Sequence, residues 1–166
     1  MKNRLHPDQV RQFYEQHGRG LLAYACCFVP SFACAEDVVH QVFVRMLRNG
    51  VQVHGEPGPY LYRAVRNAAL NQIRDRTREV DFDETWFESP SGMEQIGIEL
   101  QSALGELPEE QREIIVLHIW GQMSFAEIGD ALGISLNTAA SRFRYGLSKL
   151  REQFQPTERG PYGRSK

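Results

Sequence analysis

The sequence predicts an all-α protein: two small helical domains joined by an acidic linker, the C-terminal one with a helix-turn-helix. Three observations lead there. Apolar residues recur at three-or-four spacing along most of the 166 residues, and no stretch alternates convincingly as a strand. Clusters of glycine and proline cut that pattern into helix-sized pieces. Charge is segregated along the chain. Residues 1–78 hold 11 Lys and Arg against 6 Asp and Glu, residues 79–99 hold seven acidic residues and no basic one, and residues 100–166 are balanced at eight of each. The formal net charge of −2 therefore averages a basic head with an acidic middle, and partners must be read by segment.

Pro7 and Asp8 suit the opening of a first helix through "QVRQFYEQHGRGLLAYACCFV", with Gly18 and Gly20 weakening its middle. Pro30 and Ser31 punctuate. A second helix, "ACAEDVVHQVFVRMLRN", is expected to carry Glu36 and Asp37 in its first turn and Arg45 and Arg48 towards its end, an order that complements the helix dipole. Its core stripe is Val38, Val42 and Met46, with Asp37, Gln41 and Arg45 on a second face. "GVQVHGEPGP" reads as a loop, and "YLYRAVRNAALNQIRDRTRE" as a third helix.

Residues 79–99 lack a consistent period and contain Pro90 and Gly92, which makes them a linker. Helices are expected to resume near Ile98. Pro108, Glu109 and Glu110 suit the first turn of a helix running through "QREIIVLHIW". Ser124 and Glu127 form an S-x-x-E capping box opening "FAEIGDAL", Gly133 breaks that helix, and Ser135 can cap the next. The domains expected are 1–78, the linker 79–99, a C-terminal domain 100–155, and a mobile tail 156–166.

The last helix has an unusual pair of faces. Leu136, Ala139, Ala140, Phe143, Leu147, Leu150 and Phe154 form one apolar stripe. At roughly 100° per residue, Asn137, Ser141, Arg144, Tyr145 and Ser148 point the other way. Small hydroxyl and amide groups beside arginine suit close approach to phosphates and base edges. Helix, glycine turn and polar-faced helix is the helix-turn-helix arrangement, although a plain bundle corner has the same outline. In the third helix Arg63, Arg66, Arg74, Arg76 and Arg78 gather near Tyr60, Tyr62 and Asn67. Arginine neutralises phosphate, an aromatic ring can stack on an unpaired base, and Asn67 offers both donor and acceptor; at least one of Tyr60 and Tyr62 suits the core instead.

"LPEEQREIIVLHIWGQMSFAEIGDALGISLNTAASRFRYGLSKLRE" closely resembles the promoter-binding C-terminal domain of extracytoplasmic-function (ECF) sigma factors. "AEDVVHQVFVRMLRN" resembles the helix with which that family grips RNA polymerase, and "PYLYRAVRNAALNQIRDRTRE" the helix that meets the downstream promoter element. The chain departs from the family's common pattern at His40 and Gln41, and at Ala140 and Tyr145, where basic residues are common.

The resemblance implies core RNA polymerase, promoter DNA and an anti-sigma factor as partners. It implies polymerase contacts from Asp37, His40, Gln41 and Arg45. It implies downstream-element contacts from Tyr60, Tyr62, Arg63, Arg66, Asn67 and Arg74. For the upstream element it implies Asn137, Thr138, Ser141, Arg142, Arg144, Tyr145 and Lys149, with Arg142 and Lys149 on the phosphate flank. It further implies that the acidic connector threads a basic polymerase channel; a solvated tether is the alternative from composition, against which Phe82, Trp86 and Phe87 speak.

No cofactor, metal or catalytic activity is expected. Cys26 and Cys27 are neighbours that face different ways on a helix, poor ligand geometry, and with Cys34 they read as small buried apolar groups. His118 sits in an apolar helix as a structural residue. No apolar run approaches the ~18 residues of a membrane span, and the N-terminus lacks a secretory pattern, so a cytoplasmic protein without membrane insertion is expected.

Overall fold

The computed structural model describes residues 5–74 and 91–154. Arg76, Arg78, the aromatics Phe82, Trp86 and Phe87, most of the acidic linker, the side chain of Phe154 and the tail lie outside the described residues. Those described form seven helices and no strand: α1 Pro7–Ala25, α2 Phe32–Asn49, α3 Pro57–Arg74, α4 Met93–Leu104, α5 Glu109–Ile119, α6 Phe125–Leu132 and α7 Leu136–Phe154.

Local chemistry sets the ends. The His6 side chain accepts from Asp8 N, and the Gln9 amide oxygen accepts from His6 N at 2.9 Å, so Pro7 begins α1 without an unsatisfied donor. Ser31 Oγ accepts from Cys34 N at 3.2 Å and starts α2 at Phe32. That start places Glu36 and Asp37 beyond the first turn rather than in it, too far along α2 to complement its N-terminal dipole, while Arg48 does occupy the last turn. Gly50 closes α2 at φ 59, a conformation that a Cβ disfavours. In α5, Pro108 stands as N-cap rather than inside the first turn.

α1, α2 and α3 pack around a core that includes Val10, Leu21, Val38, Phe43, Met46, Leu61 and Val65. Gly20 does not interrupt α1; it permits contact. A Cβ there would sit 2.0 Å from the Tyr62 hydroxyl and 2.8 Å from the Trp120 carbonyl oxygen. α4 begins at Met93, about a turn earlier than the periodicity suggested, because buried Met93 anchors it. Gly97 lets it approach α1 and α2, as a Cβ would meet Phe32 at 2.8 Å and Cys26 Sγ at 3.4 Å.

α5, α6 and α7 pack on one another, and their buried residues are continuous with those of α1–α3 in one cluster. The His118 ring stacks on Phe125 (4.4 Å, 14°), meets Phe143 edge-on (4.7 Å, 71°), and donates from Nδ1 to the Met123 carbonyl at 2.8 Å. It is a structural histidine, as its apolar setting suggested. The Ser124–Glu127 capping box forms in both directions, and the Ser124 backbone and hydroxyl hold the Glu127 carboxyl below its ordinary value. Gly133 turns the chain at φ 68, and Ser135 Oγ accepts from Thr138 N at 3.1 Å to start α7. These caps start α6 and α7, and Gly133 and the short turn after it bring the two helices into contact.

Candidate nucleic-acid interface

α7 packs on α5 and α6 through fully buried Ala139 and partly buried Phe143 and Leu150. Its packing on α5 is close enough that a Cβ at Gly146 would reach Ile115 at 2.6 Å. Leu136 departs from the expected stripe: at the first position of α7 it is 51% exposed. Asn137, Arg144, Tyr145, Ser148 and Lys149 are exposed, and Tyr145 has 66% of its surface open.

Three other predicted α7 residues are differently engaged. Thr138 Oγ1 lies 2.8 Å from Ser135 Oγ. Ser141 Oγ donates back to the carbonyls of Asn137 and Thr138, at 2.8 and 3.2 Å, which uses its only hydroxyl proton inside the helix and leaves its oxygen as an acceptor. Arg142 is half-buried, and its guanidinium lies 3.2 Å from the exposed carboxylate of Glu110 on α5.

α3 presents two faces. Tyr60, Arg63, Asn67 and Arg74 follow one another at helical spacing; Tyr60 is half-buried and the other three are exposed. Asn71, also exposed, lies on this stripe and was missed from the sequence, where it reads as one polar residue among many. Tyr62 belongs to the other face and is 1% exposed, its ring edge-on to Tyr24 with centroids 5.4 Å apart. Of the two tyrosines, Tyr62 is the one set in the core.

Arg66 shares that inner face. Its Nε donates to Glu113 Oε1 on α5 at 2.7 Å, and the Tyr24 hydroxyl donates to the same oxygen. Burial tends to lower the Arg66 pKa, but the hydrogen bond and charge of Glu113 outweigh it and raise it overall. Burial, then the carboxylate, pushes the Tyr24 phenol well above its ordinary value. Neither Tyr24 nor Glu113 stood out in the sequence, because "PEEQREIIV" reads as an acidic helix start and nothing local marks Glu113 as the member turned inward.

On α2, Asp37 and Arg45 are exposed while His40 and Gln41 are half-buried, and the His40 ring lies 6.3 Å from that of Tyr14. Val38, Val42 and Met46 are buried beneath them. Asp37, Gln41 and Arg45 thus follow one line, four residues apart, on the outer side of the first domain.

Cys26 and Cys27 are buried free thiols and Cys34 is half-buried. Burial, with a smaller effect of Glu36, pushes Cys26 up to about 11, and burial raises Cys27 further, so both remain protonated and unreactive near neutrality. Among the described residues no group of three His, Cys, Asp or Glu side chains could hold a metal ion, and no helix is long and apolar enough to cross a membrane.

Comparison with known proteins bears on both domains. The family "Sigma-70 region 2" matches residues 13–79 and "Sigma-70, region 4" matches residues 97–150. The ECF RNA polymerase sigma factor SigE of Mycolicibacterium smegmatis is 34% identical over 132 residues, covering 71% of this chain but only about half of that relative, 51%. SigL of Mycobacterium tuberculosis, another ECF sigma factor, is 27% identical over 157 residues, covering 88% of this chain and 89% of its own. The sigma factor RpoE of Bartonella quintana, solved in complex with the anti-sigma factor NepR, shares the fold at a TM-score of 0.66 and 19% identity, over 91% of this chain and 100% of that one. With one region-2 domain, one region-4 domain and these relatives, the chain belongs to the ECF sigma factors of RNA polymerase.

Proposed function

We propose that the chain performs the sigma role through three separate surfaces, one for core RNA polymerase and two for promoter DNA. The outer line of α2, with Asp37, His40, Gln41 and Arg45, docks on core polymerase. The stripe Tyr60, Arg63, Asn67 and Arg74 of α3 engages the downstream element, where the aromatic ring and the amide suit an unpaired base and the arginines suit phosphate. The exposed face of α7 enters the major groove at the upstream element, with Arg144 and Asn137 reaching base edges and Lys149 the backbone. Strand opening then draws on binding energy, and the chain itself is not an enzyme. It works in the cytoplasm, and an anti-sigma factor is a further partner, as one is for the like-folded Bartonella protein.

The observation that supports this reading most is the α6–α7 corner. Its inner side is used up in packing, so the polar side with Asn137, Arg144 and Tyr145 is the one left for a ligand. A dimeric operator-binding repressor would share that corner, and the two readings differ in what they need. The sigma reading expects the free chain to bind promoter duplex weakly at physiological salt, since the C-terminal part is charge-neutral and the linker acidic. Footprinting with and without core polymerase checks this. Strong protection only with core is expected; tight protection by the chain alone would favour the repressor.

A further inference from the structure

Glu113 is the one buried charged residue among the described residues, 5% exposed, and its partners come from the other domain. Tyr24 on α1 and Arg66 on α3 both donate to Glu113 Oε1 from positions 89 and 47 residues away. Around it the contacts are again across the seam. Arg112 Nη1 donates to the Cys27 carbonyl at 3.0 Å, and Gln101 Nε2 to the Val29 carbonyl at 3.1 Å. The Trp120 carbonyl reaches the bare face of Gly20. Beside these contacts runs a cleft of about 460 Å³, lined by Cys26, Val29, Ile73, Leu104 and Arg112 among others, so the seam is incompletely filled.

We propose that Tyr24, Glu113 and Arg66 form a latch that holds the two domains together in the free chain and withholds Arg66 from nucleic acid until they separate. The inference rests on the sigma reading for what Arg66 does once released.

The physical case is one of reversibility. A carboxylate taken out of water is tolerated only while it is paired, so Glu113 demands Arg66 and Tyr24 for as long as the domains touch. On separation all three regain water, as do the Cys27 and Val29 carbonyls held by Arg112 and Gln101. The desolvation cost is returned, and the ion pair specifies the closed arrangement more than it stabilises it. The apolar core continues across the seam, but polar contacts and an unfilled cleft beside it suit domains that part. Arg66 comes one turn after exposed Arg63 and directly before exposed Asn67 on α3, so its release adds a cation to the downstream-element surface. The α2 line faces elsewhere and is reachable in the closed state, so polymerase can bind first and the domains part afterwards.

The closed state lowers apparent affinity for nucleic acid by the fraction of chains that are open. The test uses the full-length free chain, with small-angle X-ray scattering for compactness and a fluorescent single-stranded 12-mer of mixed sequence as the probe. Glu113→Lys, which sets a cation against Arg66, is expected to raise the radius of gyration at unchanged helical circular dichroism. The charge-swapped pair Arg66→Glu with Glu113→Lys should return it to the wild-type value. The near-isosteric Glu113→Gln guards against a folding artefact, and should bind the 12-mer on the order of tenfold more tightly than wild type. Glu109→Gln makes the same charge change on the exposed side of α5 and should bind as wild type does.

An extended wild-type chain would overturn the latch. So would a Glu113→Lys chain that is folded and as compact as wild type, or equal gains from Glu113→Gln and Glu109→Gln. None of these readouts involves polymerase. Failure of the wild-type chain to support transcription with core would instead remove the sigma reading and leave the scattering result standing.

Discussion

Asp37→Arg is expected to abolish binding to core RNA polymerase while the helical circular-dichroism signal stays as in wild type. Asp37 lies on the exposed side of α2, whose opposite side carries the buried Val38, Val42 and Met46, so the substitution changes a surface and leaves the packing intact. It also puts a second cation on the line that holds Arg45. Like charges set against each other across an interface cost several kcal/mol, which corresponds to a loss on the order of a hundredfold or more. Affinity is measured by fluorescence anisotropy of labelled chain titrated with core at fixed salt. A folded Asp37→Arg chain that binds core with wild-type affinity would take Asp37 out of the docking surface.

The second large effect is one of specificity. Arg144→Ala is expected to relax preference at one or two base pairs of the upstream element, whereas Lys149→Ala should weaken all promoters about equally. An arginine aligned on guanine O6 and N7 makes two hydrogen bonds, and such a pair contributes about 1–3 kcal/mol of discrimination. Arg144 is exposed near the middle of the outer face of α7, with Asn137 two turns before it and Tyr145 beside it. Lys149 lies farther along the helix, where a flexible ammonium suits phosphate. Transcription from a library randomised in the upstream element, at constant salt, gives both preference profiles. Identical profiles for wild type and Arg144→Ala would make Arg144 a phosphate clamp.

What was legible in the sequence was local, and what was not depended on distant partners. The α6–α7 corner could be read because its signals lie within a few residues: the Ser124 and Glu127 box, Gly133 in the left-handed region, and Ser135 as a cap all form as their spacing suggests. The Val38, Val42 and Met46 stripe was equally plain, since one helix period specifies it. Tyr60 and Tyr62 could not be separated by period, because both flank Leu61 and either phase fits a helix. The approach of α1 through Gly20 decides that Tyr62 is the buried one.

Arg142 and Lys149 looked alike as flanking cations until the fold set Glu110 beside the first. Leu136 kept the right spacing but, at the very start of α7, stays exposed. Nothing in the sequence around Glu113 marks it as buried. Its burial follows from how two domains meet, and both of its hydrogen-bonding partners lie in the other one.

As a sigma factor, this chain turns core polymerase into a promoter-specific enzyme. The most direct test of that role is in vitro transcription on a genomic fragment library with core polymerase alone, with core plus the wild-type chain, and with core plus Asp37→Arg, with RNA 5′ ends mapped by sequencing. Discrete start sites that share upstream and downstream elements should appear only with the wild-type chain. Transcription from the same positions without the chain, or no discrete start sites in its presence, would contradict it.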